Sequence, residues 1–157
     1  MKLSDFMIKE AIIAELQASD RNGVIRELID SLARAGAVDP GDADALARAV
    51  IQRENQGSTG FGKGVAVPHV KQDRVKTMVG TIGRSSRGVD FAALDRAPVY
   101  TVVLLLSPSE DPDRHLEAME NVFRHLQRDN FRRFLRQSET VEQIVELIEE
   151  ADEMPAA

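Results

Sequence analysis

The sequence contains no cysteine and no tryptophan. Without cysteine there are no disulfides, no thiol nucleophile and no thiolate metal site, and the chain suits a reducing compartment. Aromatic residues make up only 4%, so any core must be aliphatic. No apolar run approaches the roughly 18 residues that span a bilayer. The longest, Val102 to Leu106, is the size of a strand. The opening Met1-Lys2-Leu3-Ser4-Asp5 turns acidic at once and shows no apolar secretory stretch, so a cytoplasmic location is expected. An excess of positive charge is missing too. The formal net charge of −6 speaks against indiscriminate binding to nucleic acid or to anionic membrane. There are no internal repeats and no low-complexity segments.

What is present reads as one globular domain over residues 1–157. Apolar residues at 43% and charged residues at 29% are ordinary for a folded protein. The length allows one sizeable core and is too short for two ordinary domains. Ala11 to Leu16 is short and apolar and is expected to be a first strand. Ser19 or Asp20 caps a helix running to about Ala35, with Val24, Ile25, Leu28, Ile29 and Leu32 at helical spacing and Gly36 as its stop. After the turn Asp39-Pro40-Gly41, a second helix begins near Asp42 and ends near Gln56. Ala43, Leu46, Ala47, Val50 and Ile51 give it one apolar face.

Val65-Ala66-Val67 then reads as a strand ended by Pro68, and Met78 to Ile82 as another, bounded by Gly83. Val99 to Leu106 is nearly continuous in Val and Leu, as in a strand buried on both faces. Asp111-Pro112-Asp113 opens a helix carrying Leu116, Met119, Phe123 and Leu126. Glu139 to Ala151 is a last amphipathic helix. Helices and strands are interspersed, which predicts an α/β fold: a mixed sheet with helices on both faces.

The most informative stretch is "NQGSTGFGKGVAVPH", Asn55 to His69, which holds four of the ten glycines and one of the three histidines. Gly57, Gly62 and Lys63 match most of a phosphate-cradling P-loop, but Gly64 replaces the required hydroxyl residue. The order of elements is also reversed, because a helix precedes the glycines and a strand follows them, so the P-loop reading fails. A glycine turn remains, feeding a strand that ends in Pro68-His69. Pro68 cannot donate to a ladder, so the chain is expected to leave the sheet there, with His69 at a strand terminus. A neutral imidazole offers one lone pair, able to attack phosphorus and form a phosphoramidate. Read from the pattern alone, a histidine packed in a loop is the preferred reading.

The run from Glu54 to His69, above all "GFGKGVAVPH", resembles the phosphorylation-site motif of the type-2 enzyme IIA domains of the phosphoenolpyruvate-dependent sugar phosphotransferase system, in their fructose/mannitol and nitrogen-regulatory branch. The matching positions are Glu54, Phe61, Gly62, and Val65-Ala66-Val67-Pro68-His69. The order of the "ASDRNGVIRELIDSLARAG" helix, the "REN" before the glycines and "RHLEAME" extends the likeness over nearly the whole chain. The resemblance implies that His69 accepts a phosphoryl group from a small HPr-like phosphocarrier. From there the group passes to a IIB-type domain or serves as a signal to regulatory targets, with no cofactor and no metal.

It also matches Arg53 to the family's active-site arginine and His115 to a second histidine near the phosphohistidine. Transfer needs positive charge on the phosphoryl oxygens, which a guanidinium supplies to two of them at once. The backbone N–H groups around Gly60, Gly62 and Gly64 are expected to add donors. His125 lies about 80° around the helix from His115 and has no expected role. With no IIB segment or membrane span in the sequence, a regulatory role is expected over committed sugar transport. One position departs from the family. Val70 stands where a small residue usually follows the histidine, and its β-branched side chain is expected to restrict the backbone and crowd a partner. That departure favours a second reading, a docking module that kept the fold and lost the transfer. A small-molecule enzyme is a distant third, since no acid/base pair stands at useful spacing.

Overall fold

The computed structural model describes residues 1–154 as a four-stranded mixed sheet between two helical layers. Its helices are α1 (Arg21–Arg34), α2 (Ala43–Gln56), α3 (Pro112–Leu126), α4 (Asp129–Gln137) and α5 (Val141–Asp152). Its strands are β1 (Val65–Ala66), β2 (His69–Lys71), β3 (Val79–Val89) and β4 (Val99–Ser107). Among the described residues, no helix is long and apolar enough to cross a membrane.

β4 is the central strand. β3 runs antiparallel along one edge, from Val79 opposite Leu106 to Arg84 opposite Thr101. β1 and β2 both run parallel to β4, with Val65 opposite Thr101 and His69 opposite Leu105. A strand has two edges and β3 fills one, so β1 and β2 share the other in one register. The Leu105 N–H donates to the Pro68 carbonyl (3.0 Å) and bridges the gap between them. The chain therefore does not leave the sheet at Pro68, as expected from the sequence. Pro68 removes one donor from an edge, the chain stays in line, and His69 opens β2.

Side-chain alternation carries through this line and sorts the core. Val102, Leu104 and Leu106 of β4, with Ala66 of β1, pack into the α1/α2 layer. Val103, Leu105, Val65 and Val67 pack into the opposite layer, with α3, α4 and α5. Because both faces are covered, β4 reads as an almost unbroken apolar run. The Asp20 side chain caps α1 by accepting from the Gly23 N–H (2.6 Å). Thr140 and Gln143 form a reciprocal cap at the start of α5.

Other parts of the sequence reading change as well. Ala11–Leu16 is not a regular strand: Lys9–Ala11 is a 3₁₀ turn, and Ile13 makes a single bridge to Gly83 beside β3. Its apolar residues are divided between the two layers, Ala11 and Leu16 in one and Ile12 in the other, and the 3₁₀ turn at Lys9–Ala11 interrupts the extended run. β3 does not stop at Gly83 but continues to Val89. A Cβ on Gly83 would lie 2.8 Å from a Leu16 methyl and 2.9 Å from a Leu28 methyl, so the glycine marks close packing under α1, not a turn. Finally, α4 has no counterpart in the sequence reading.

His125 ends α3 buried against Phe131, and burial, aided by Arg128 and Arg124, pushes its pKa down to about 4. An unfolded histidine takes up its proton near pH 6.5, so between there and pH 4 the unfolded chain binds more protons than the folded one. The stability present above pH 6.5 is therefore lost as the pH falls. His125→Leu is expected to reduce the drop in stability between pH 7 and pH 5 by about 1 kcal/mol, read from urea midpoints at the two pH values.

Candidate active site

His69 is half-buried on the α3 side of the sheet edge, the face that Val65 and Val67 also occupy. Its Nδ1 lies 2.7 Å from the Val67 carbonyl oxygen. A carbonyl only accepts, so Nδ1 carries the proton and Nε2 carries the lone pair. Burial lowers the pKa of the ring below the ordinary histidine value; the Val67 bond opposes this and the Arg53 charge adds to it. The ring is thus neutral at pH 7, with one defined nucleophilic nitrogen.

His115, in the first turn of α3, lies beside it. The two ring centres are 5.6 Å apart and tilted by 40°. The residue is buried at 8% exposure rather than facing water. Burial, with the neighbouring His69 and Lys71, pushes its pKa down to about 4. Its Nδ1 is 2.6 Å from the Ser107 hydroxyl oxygen. The structure therefore brings together two neutral imidazoles, one from a sheet edge and one from a helix start.

Arg53 enters from the last turn of α2, half-exposed, with Nη1 donating to the Gly57 carbonyl (2.8 Å). Its charge is near enough to disfavour protonation of His69. Next to it, Glu54 is 2% exposed and accepts from the Thr59 N–H (3.1 Å) and the Thr59 hydroxyl. In the sequence Glu54 figures only as the first residue of a motif. Here it ties the glycine turn back onto α2. Glu54→Ala leaves two buried donors on Thr59 without their partner and is expected to lower stability by about 2–3 kcal/mol, measured by urea unfolding.

The glycines set the course of the turn. The Gly60 N–H already donates to the Ser58 hydroxyl (3.0 Å), and a Cβ there would meet the Ala93 Cβ at 2.9 Å. Gly62 and Gly64 take positive φ angles of 108° and 78°, which bend the turn back toward β1. Asp95 accepts from the Lys63 N–H (3.1 Å), and its carboxyl oxygen lies 3.3 Å from where a Gly62 Cβ would be. Backbone N–H groups of Ala97 and Lys63 hold the Asp95 carboxyl below its usual range, so it is ionised. Gly62 and Gly64 therefore shape the turn, and the Gly60 N–H is already engaged by Ser58. Phe61 between them packs edge-on against Phe123 of α3, with ring centres 5.2 Å apart, and locks the turn to the helix that carries His115.

A family model for the phosphoenolpyruvate-dependent sugar phosphotransferase system, EIIA 2, matches residues 5–151. The chain belongs to that family. The fructose-specific EIIA component of Haloferax volcanii is 31% identical over 144 residues, covering 92% of each chain. The fructose-specific EIIABC component of Bacillus subtilis is 32% identical over 97% of this chain, which spans 24% of that relative's length. Among solved structures, nitrogen regulatory protein IIA-Ntr from Neisseria meningitidis shares the fold at a TM-score of 0.83 and 24% identity, over 93% of this chain and 98% of that one. A chain from the complex of enzyme IIA-mannitol with phosphorylated enzyme IIB-mannitol of Escherichia coli shares it at 0.75 and 21%, over 90% and 95%.

The departure of this EIIA domain from the family pattern at Val70 has a structural answer. Val70 packs against the α1/α2 layer, on the opposite side of the edge line from His69. Alternation along β2 turns its side chain inward, so it does not crowd the face that His69 presents. Lys71 returns to the His69 side and is exposed.

Proposed function

We propose that the protein is a phosphoryl carrier that works through His69. Nε2 attacks the phosphorus of a phosphohistidine on an HPr-like donor. The donor's P–N bond breaks, its electron pair returns to the donor ring, and a new P–N bond forms on His69. Arg53 places positive charge on the transferring oxygens, and His115 lies beside them as a neutral neighbour. The group then passes to a IIB-type acceptor or stays as a signal that changes which partners bind this face. The observation that carries this reading is the bond from Nδ1 to the Val67 carbonyl, because it leaves Nε2 free on a ring whose burial keeps it unprotonated.

A IIB-type acceptor is supported by the Escherichia coli complex, whose enzyme IIA-mannitol has phosphorylated enzyme IIB-mannitol as its partner. Docking without transfer is the weaker reading, since Val70 turns into the core and no longer favours it. The test is incubation with phosphoenolpyruvate, enzyme I and HPr. The expected product is one acid-labile, base-stable phosphate per chain, which chases onto an added IIB domain. A chain that takes up no phosphate while HPr in the same mixture is phosphorylated defeats the proposal.

A further inference from the structure

The tautomer of His69 is fixed by a backbone carbonyl, whereas that of His115 depends on a side chain. Ser107 is the last residue of β4, 1% exposed. Its carbonyl accepts from the Gln72 N–H (2.9 Å), which anchors it at the end of β2. Following Val103 and Leu105, it continues the β4 face that looks toward α3, the face His69 shares one line away. There its hydroxyl meets Nδ1 of His115 at 2.6 Å.

Two arrangements of the protons are available, and they are not equal. If Nδ1 carries the proton and donates to Ser107, the serine's own O–H needs another acceptor. Among the described residues the side chain makes no second hydrogen bond, and at 1% exposure water does not serve. A buried donor would go unmet, which is costly. If instead the serine O–H donates to a lone pair on Nδ1, both groups are satisfied and His115 carries its proton on Nε2. Nδ1 is occupied by Ser107, so Nε2 is the only nitrogen left to meet a phosphoryl group. The neighbouring rings are then opposites: His69 offers a lone pair and His115 offers a proton.

We propose that Ser107 is a positioning residue for phosphoryl transfer, holding His115 in the tautomer that donates Nε2–H to the phosphoryl oxygens on His69. The role rests on the carrier reading above. Without the serine hydroxyl, His115 exchanges between tautomers, and for part of the time it turns a lone pair toward the negative oxygens.

The test is a long-range proton–nitrogen correlation spectrum of the full chain, ¹⁵N-labelled at histidine, at pH 7 and without any phosphoryl donor. His69 is expected as the Nδ1–H tautomer and His115 as the Nε2–H tautomer. In Ser107→Ala the His115 nitrogens move to an averaged position, while Ser107→Thr keeps the wild-type pattern. Phosphoryl uptake from phosphorylated HPr falls about tenfold in Ser107→Ala and stays within about twofold in Ser107→Thr. In a His115→Ala background, Ser107→Ala has no further effect. An Nδ1–H tautomer at His115 in the wild type, or a tautomer unchanged in Ser107→Ala, overturns the proposal. The wild-type spectrum decides even if a variant misfolds. A wild type that shows the expected tautomers but takes up no phosphate sinks the carrier reading, and this role with it. A labelled wild type with the wrong His115 tautomer sinks the role of Ser107 alone.

Discussion

His69→Ala is expected to fold like the wild type and to lose phosphoryl uptake by at least ~10³-fold, because it removes the atom that forms the new bond. The ring is half-buried at a sheet edge, and its hydrogen bond to Val67, two residues back, is local. The edge line itself is held by backbone bonds to β4, including Leu105 to Pro68, which the substitution leaves in place. Uptake from phosphorylated HPr and urea unfolding therefore separate, the first collapsing and the second moving little. The second histidine does not rescue the reaction. His115 is 8% exposed, and in the proposed tautomer, with Ser107 donating to Nδ1, its Nε2 carries a proton and has no lone pair to attack phosphorus. If His69→Ala still accepts a phosphate, the nucleophile lies elsewhere.

The second large effect belongs to Arg53. A phosphoryl group in flight spreads negative charge over three oxygens, and removal of one well-placed donor to such a group typically slows transfer by ~10²-fold or more. Arg53→Ala is expected to reduce the uptake rate on that scale, with little change in stability, because the side chain is half-exposed and its bond to the Gly57 carbonyl lies at the helix end. Arg53→Lys keeps the charge but loses the planar fork, and a loss of about tenfold is expected. The loss of charge also removes one of the influences that disfavour a protonated His69. The pH below which uptake declines should therefore rise in Arg53→Ala, whereas in the wild type uptake stays level through neutral pH and falls only below the ordinary histidine range. Uptake rates between pH 5 and pH 8 read both effects.

Much of this site was legible in the residues. Leu46, Ala47 and Val50 announced the buried face of α2, and that face fixes where Arg53 emerges. The run from Val102 to Leu106 announced the central strand. The motif around Pro68-His69 pointed to the proposed nucleophile. The parts that were not legible depend on distant contacts. Glu54 and Ser107 are ordinary polar residues in the sequence, and only the fold buries them against Thr59 and His115. Gly83 looked like a strand end because nothing local shows that Leu16 and Leu28 fill the space beside it. β2 resumes after a proline because the neighbouring strand continues to hold the chain, which no local pattern reveals. α4 is short and rich in arginine, and its one clue, the i, i+4 pair Phe131 and Leu135, is too small to separate a helix from a linker. Val70 was misjudged for a related reason: its neighbourhood in sequence suggested a clash that strand alternation removes.

The most direct measurement is the position of phosphorus on the imidazole ring, read by phosphorus–nitrogen correlation spectroscopy of the labelled phosphoprotein. With Nδ1 committed to the Val67 carbonyl, the phosphate belongs on Nε2 of His69. Phosphorus bonded to Nδ1, or to either nitrogen of another histidine, contradicts the account.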